Sequence, residues 1–172
     1  VRIMDESGKE CEPGEPGEIW VSGAHIMKEY WNRPDATAET LTPEGWLRTG
    51  DVASMDEEGY VTIQDRLKDM IITGGENVCP AEIENIILGH PGVADVAVIG
   101  QPSKRWGESP LAVVVGKAES LTEADILKYC DGKLARFKQP KGAVFIDQIP
   151  RNPSGKVLKR VLREQFSDAA EE

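Results

Sequence analysis

Two stretches near the middle of the chain, VADVAVI at 93–99 and LAVVV at 111–115, are almost wholly apolar. Successive strand residues point to opposite faces, so a run lacking polar alternates needs cover on both sides. The flanking sequence offers that cover. Ile83, Ile86, Ile87 and His90 recur at i, i+3, i+4 and i+7 behind Pro80, with Gly89 and Gly92 as stops; this predicts an amphipathic helix. Thr122-Glu123-Ala124-Asp125 resembles a capping box with Asp in the usual Glu place. Ile126, Leu127, Cys130 and Leu134 continue that helix's inner face. A strand at 143–146 and a terminal helix around Leu158, Val161 and Leu162 complete the pattern, with a frayed end from Asp168 to Glu172. Residues 70–166 therefore read strand, helix, strand, strand, helix, strand, helix, with a polar loop at 101–109. The fold class is α+β, a small domain with helices packed on a short sheet.

The first third has another character. GEIWVSG at 17–23 is a strand between glycines, residues 36–41 form a helical turn after Pro34, and Thr42-Pro43-Glu44-Gly45 is a loop. Residues 52–55 and 60–64 flank a hairpin turn, Asp56-Glu57-Glu58-Gly59. The expected division is 1–66, β-rich and too short to close a sheet alone, and 67–172. Unpaired strand edges in 1–66 invite dimerisation or strand exchange between copies.

Composition narrows the function classes. The 172 residues are 40% hydrophobic and 29% charged, enough for a packed core. The net charge of -10 disfavours nucleic acid as a partner, because neutralising phosphates needs a Lys/Arg surplus. Cys11, Cys79 and Cys130 form no C-x-x-C pair, which argues against a disulfide framework or a zinc site and fits a reducing cytoplasm. Neither His25 nor His90 adjoins a second ligand-type cluster, so no metal site is expected. No apolar run reaches the roughly 20 residues of a transmembrane segment. The N-terminus carries neither an initiator Met nor a signal-peptide pattern and reads like the middle of a gene product.

Several short segments carry chemistry. Leu47-Arg48-Thr49-Gly50-Asp51 ends in a carboxylate after a Thr-Gly turn. It is either a plain turn or a carboxylate accepting both hydroxyls of a ribose. Asp65-Arg66-Leu67-Lys68-Asp69 is either a solvated strand end or a source of nucleotide hydrogen bonds from Arg66, with Lys68 in a positional role. Thr73-Gly74-Gly75-Glu76-Asn77 is neither a Walker loop nor G-x-G-x-x-G, yet paired glycines allow positive φ and close approach of a ligand. Ile149-Pro150-Arg151-Asn152-Pro153-Ser154-Gly155-Lys156 is a loop delivering a lysine: prolines fix its approach and Ser-Gly frees its tip. Such an ammonium either meets water or bridges two anionic reactants.

Taken together, GEIWVSG, MKEYWNRPDATAET, GWLRTGD, GYVTIQDRLKDMIITGGENVCPAEIE and IPRNPSGKVLKRVLREQ resemble the adenylate-forming superfamily across essentially the whole chain. The wording is most similar to the C-terminal part of AMP-forming acyl-CoA synthetases, in particular bacterial medium- and long-chain fatty acyl-CoA ligases and aryl-CoA ligases. The resemblance implies an acid-thiol ligase. A carboxylic, fatty, acid is activated by ATP as an acyl-adenylate and then passed to CoA. It implies that 1–66 is the end of the large N-terminal domain, a partial β-barrel, and that 67–172 is a mobile C-terminal lid with its hinge at Lys68. Asp51 then holds the ribose hydroxyls and Arg66 also contacts the ribose. Gly74 and Gly75 line the pantetheine tunnel, Trp106 lies near it, and Phe137 and Lys141 lie near the CoA nucleotide. Gln139 departs from relatives that carry Arg there, which puts one phosphate contact in doubt. Lys156 is the catalytic lysine, touching the substrate carboxylate and the α-phosphate during adenylation. Pro150 to Lys156 also resembles sites where members are switched off by lysine acetylation.

The family's Ser/Thr/Gly-rich phosphate loop, its acidic magnesium motif and most of the acyl pocket have no counterpart in this sequence. Mg2+ is thus expected only in the full-length enzyme, whose N-terminal domain is the missing partner, and the isolated chain is expected to be inactive. Two alternatives share these residues: an adenylation domain that loads a carrier protein, and a module that merely binds CoA or AMP.

Overall fold

The computed structural model describes residues 1–118 and 120–166; the expected frayed end at 168–172 lies outside them. The chain divides into two compact units, Val1–Lys68 and Asp69–Glu172.

The first unit is an antiparallel sheet in the order β1-β2-β3-β4, with β1 at Arg2–Met4, β2 at Pro16–Val21, β3 at Leu47–Met55 and β4 at Val61–Arg66. A short helix, α1 (Pro34–Thr40), starts at a proline, which loses nothing there because the first helical N–H has no partner. The β3–β4 hairpin closes on Asp56, whose Oδ1 accepts the N–H groups of Glu58 and Tyr60 at 3.0 and 2.9 Å. Its buried apolar cluster has three members, Ile3, Ile19 and Ala53, with Cys11, Val21 and Met55 packed around them, and Met4 and Val52 are buried outside it. One expectation is corrected. Leu47 to Asp51 is the first half of a long strand, not the approach to a turn. Gly50 supplies φ 71 inside the strand and the β2–β3 ladder shifts register between Glu18 and Trp20, opposite Val52 and Arg48, so β3 bends without ending.

A 3-10 turn, Leu67–Asp69, leads into the second unit. There β5 (Ile71–Thr73), β6 (Glu76–Val78), β7 (Val93–Ser103) and β8 (Gly107–Gly116) lie in the order β6-β5-β8-β7, and β9 (Gly142–Phe145) pairs parallel with β8. Three helices pack on this sheet: α2 (Pro80–Leu88), α3 (Glu123–Cys130) and α4 (Lys159–Gln165). The apolar strands are covered on both faces, as their composition requires. Val96, Val98, Ala112 and Val114 meet Ile83 and Ile87 of α2 and Ile126 and Cys130 of α3. The alternate residues Ala97, Ile99, Leu111 and Val113 meet Ile149 and Leu162. Fully burying one such aliphatic side chain stabilises by about 1.5–3 kcal/mol, so these two layers dominate the unit's stability.

Polar groups finish the packing. The outer strand β7 would present an open edge, but Glu84 Oε1 accepts the Val98 N–H at 2.8 Å and meets Lys159 Nζ at 2.9 Å. The capping box is present: Thr122 Oγ1 accepts the Asp125 N–H at 3.3 Å, and Asp125 Oδ2 accepts the Thr122 N–H at 3.0 Å. Two differences from expectation stand out. The polar segment 101–109 is the paired end of a hairpin whose turn spans only Lys104 to Trp106. Gln101 is buried there because its Nε2 donates to the Phe166 carbonyl at 3.0 Å. Glu76 to Val78 is also a strand, giving the unit one more strand than the pattern indicated. No helix among the described residues is long and apolar enough to cross a membrane.

Candidate functional site

In the first unit, Asp51 and Arg66 face each other across the β3–β4 ladder, with Arg66 Nε 3.2 Å from Asp51 Oδ1. Both side chains are partly exposed, at 31% and 41%. The bend that presents Asp51 is held by its neighbours. The Thr49 hydroxyl donates to the Ile19 carbonyl at 2.8 Å and accepts the Asp51 N–H at 3.1 Å. Glu18 Oε1 accepts the Gly50 N–H at 2.9 Å, while Oε2 accepts from Trp20 Nε1 at 2.9 Å. A carboxylate has about four acceptor positions, so one ion pair leaves Asp51 able to accept a vicinal diol. Glu18 was not singled out from sequence; its partner Gly50 is 32 residues away.

Lys68 closes the first unit within the 3-10 turn and is exposed. The next residue, Asp69, is tied into the second unit by Arg163 at 2.7 Å.

Lys156 lies on a loop after β9, between residues Arg151 and Val157, which form an isolated bridge. The tip is not free, contrary to the sequence reading of Ser-Gly. Asn152 Oδ1 accepts the Ser154 N–H at 3.1 Å, the Ser154 hydroxyl at 2.8 Å and the Lys156 N–H at 2.8 Å. Gly155 takes φ 83, which a side chain would resist. Arg151 donates to the Gly155 carbonyl at 3.0 Å and to both Asp95 oxygens at 3.0 and 2.8 Å. The loop backbone is thus fixed while the Lys156 side chain is exposed and makes no ion pair among the described residues. The Asn-Pro-Ser-Gly wording was a usable signal for this turn, since an Asn side chain readily caps its own following backbone. The partnership with Asp95, 56 residues away, left no local trace.

Gly74 and Gly75 form the two-residue turn of the β5–β6 hairpin, with φ 60 and 87. Positive φ at both positions is what a twisted hairpin of this length demands. The Gly74 N–H donates to the Trp106 carbonyl at 2.8 Å. A methyl group on Gly74 would sit 3.0 Å from the indole, so glycine also admits the ring. The Arg105 guanidinium stacks 4.6 Å from that ring's centroid. The structure therefore brings Gly74 and Trp106 together. Phe137 and Lys141 lie on the segment between α3 and β9, both exposed. The Lys141 N–H donates to the Pro110 carbonyl at 2.9 Å, three residues along β8 from Gly107 and so about 10 Å from the Trp106 turn. Gln139 Nε2 donates to Asp131 and to the Leu134 carbonyl, both at 3.4 Å, which gives it a structural place in this connection. Burial raises the Cys130 thiol above its ordinary pKa, as expected for an inert core cysteine.

Residues 82–156 match the AMP-binding enzyme C-terminal domain. The chain is 53% identical, over 97% of its length and 33% of the relative's, to the long-chain-fatty-acid–CoA ligase FadD13 of Mycobacterium tuberculosis. The stretch 82–156 is an AMP-binding enzyme C-terminal domain. It is also 49% identical, over 96% of its length and 32% of the relative's, to the fatty acid–[acyl-carrier-protein] ligase ScoC of Streptomyces coeruleorubidus. An ATP-bound crystal structure of MatB from Rhodopseudomonas palustris, 46% identical, covers 99% of the chain with a TM-score of 0.93, the match spanning 34% of that protein. The chain spans about one third of the length of the curated relatives it matches. The second unit thus carries the AMP-binding C-terminal domain, with Gly74 and Gly75 just before the matched residues and Lys156 at their end.

Proposed function

We propose that this chain is the C-terminal part of an ATP-dependent acyl-CoA ligase acting on a carboxylic, fatty, acid in the cytoplasm. The observation that carries the reading is the Lys156 loop, an exposed ammonium on a backbone fixed by its own hydrogen bonds. In the first step an oxygen of the substrate carboxylate attacks the α-phosphorus of ATP. The bond to the bridging oxygen breaks and pyrophosphate leaves, giving the acyl-adenylate. Two anions must meet, so a cation placed between them lowers the barrier. Lys156 supplies it, while Asp51 and Arg66 hold the ribose. In the second step the CoA thiolate attacks the acyl carbonyl, the bond to phosphate oxygen breaks, and AMP leaves.

Lys156 is needed for the first step and not for the second, which suits a domain that swings about Lys68. The Gly74-Gly75 turn and Trp106 then line the path of the thiol arm, with Phe137 and Lys141 toward the CoA nucleotide. Mg2+ is expected to accompany ATP in the full-length enzyme; among the described residues no group of three or more His, Cys, Asp and Glu side chains could hold a metal ion. Acetylation of Lys156 would remove the charge the first step uses.

The 49% identity to ScoC supports a second reading, transfer to a carrier protein instead of free CoA. The test uses the complete protein with ATP and fatty acids of graded length. Acid-dependent pyrophosphate release, followed by thioester on addition of CoA, is the expected result. Thioester formed only on a carrier protein would favour the second reading, and absence of acid-dependent pyrophosphate release would overturn both.

A further inference from the structure

The Lys156 loop is fastened to the sheet at one place. The β7 ladder shifts register between Val93 and Asp95, and Asp95 is the residue that follows the irregularity. Irregularities of this kind re-aim a side chain. The Asp95 carboxylate accepts its neighbour Val96 N–H at 2.9 Å and takes two bonds from one terminal nitrogen of Arg151, at 3.0 and 2.8 Å. The other terminal nitrogen of Arg151 donates to the carbonyl of Gly155, at 3.0 Å. That carbonyl belongs to the peptide bond entering Lys156, whose own N–H is held by Asn152.

We infer that Asp95 and Arg151 are positioning residues for Lys156: the guanidinium transfers the fixed position of β7 to the peptide bond that sets where the ammonium can reach. The inference rests on the proposed role of Lys156 in adenylation. An ornamental ion pair is the competing reading, and exposure weighs on it. The Asp95 and Arg151 side chains are 33% and 40% exposed, and ion pairs that exposed contribute little to stability. Geometry is a different matter. A reacting group misplaced by about 1 Å costs on the order of 100-fold in rate. A lysine could keep the charge of Arg151, but it cannot span Asp95 and Gly155 with two separate nitrogens.

The experiment compares Arg151→Ala, Arg151→Lys, Asp95→Asn and Asp95→Glu in the complete protein, with Lys156→Ala alongside. Adenylation is followed as acid-dependent pyrophosphate release. Thioester formation from supplied acyl-adenylate and the thermal midpoint are measured in parallel. For Arg151→Ala, Arg151→Lys and Asp95→Asn, the expected adenylation kcat falls about 10- to 100-fold. KM for ATP, the thioester step and the midpoint stay near the parent values, and Asp95→Glu recovers part of the rate. Equal losses in both half-reactions, or a matching fall in the midpoint, would show a merely structural pair and overturn the inference. So would an unchanged adenylation rate in Arg151→Ala while Lys156→Ala abolishes it. If Lys156→Ala itself leaves adenylation intact, the fault lies with the proposed function instead.

Discussion

The two units solve the same packing problem with unequal means. The second buries apolar residues on both faces of one sheet, with thirteen in one cluster and six in the other. The first has one cluster of three, beneath a sheet whose strand β4 leaves Ile63 65% exposed. Their site residues differ in the same sense. Asp51 and Arg66 meet each other directly on neighbouring strands, whereas Lys156 stands alone on a loop anchored from behind. On the proposed function, the second unit must present one group to a reactant, which needs a well-packed body, and its two clusters provide one.

The contrast is broken most severely through the core. Ile87→Ala, at a fully buried position of α2, should destabilise the second unit by about 2–5 kcal/mol. Ile19→Ala should cost the first unit less, toward the low end at about 2 kcal/mol, because a three-residue cluster collapses around a smaller side chain more readily. Hydrogen exchange along the chain checks this: Ile87→Ala should accelerate exchange in β7 and β8 and leave β2 and β3 unchanged. Uniform acceleration across both units would deny them separate cores.

A smaller effect concerns α3. The Thr122 hydroxyl, then the Thr122 N–H, hold the Asp125 carboxyl below its ordinary value of 3.8. A carboxyl depressed on folding stabilises above its unfolded pKa, and that contribution is lost as pH falls through the lower folded value. Thr122→Ala should therefore lower the thermal midpoint by a few degrees near neutrality, and the gap should narrow below pH 3.8, leaving the part due to the Asp125 N–H that the hydroxyl accepts. A gap that persisted undiminished at low pH would mean that the cap acts without Asp125.

Much of this was legible beforehand, for reasons that are local. Pro80 marked a helix start, Thr122 a cap, Asp56 to Gly59 a hairpin, and the two apolar runs required cover on both faces. What escaped depended on distant partners. Gln101 looked like loop because its partner, the Phe166 carbonyl, is 65 residues on. Leu47 to Asp51 looked like a turn because Gly50 bends a strand that Glu18 holds from 32 residues away. The lysine loop looked loose because Ser-Gly is commonly flexible, while Asn152 and the Asp95–Arg151 clamp remove that freedom. Gly74 was recognised as a site of close approach, but the group that approaches, Trp106, enters from another turn.

The most direct test places Lys156→Ala in the complete protein and measures its two half-reactions side by side. Adenylation is expected to fall by about 10²–10³-fold, the scale for removing one group that stabilises developing charge. Thioester formation from supplied acyl-adenylate is expected to continue near the parent rate. Equal loss in both steps, or undiminished adenylation, would contradict the assignment of Lys156 as the cation of the first step.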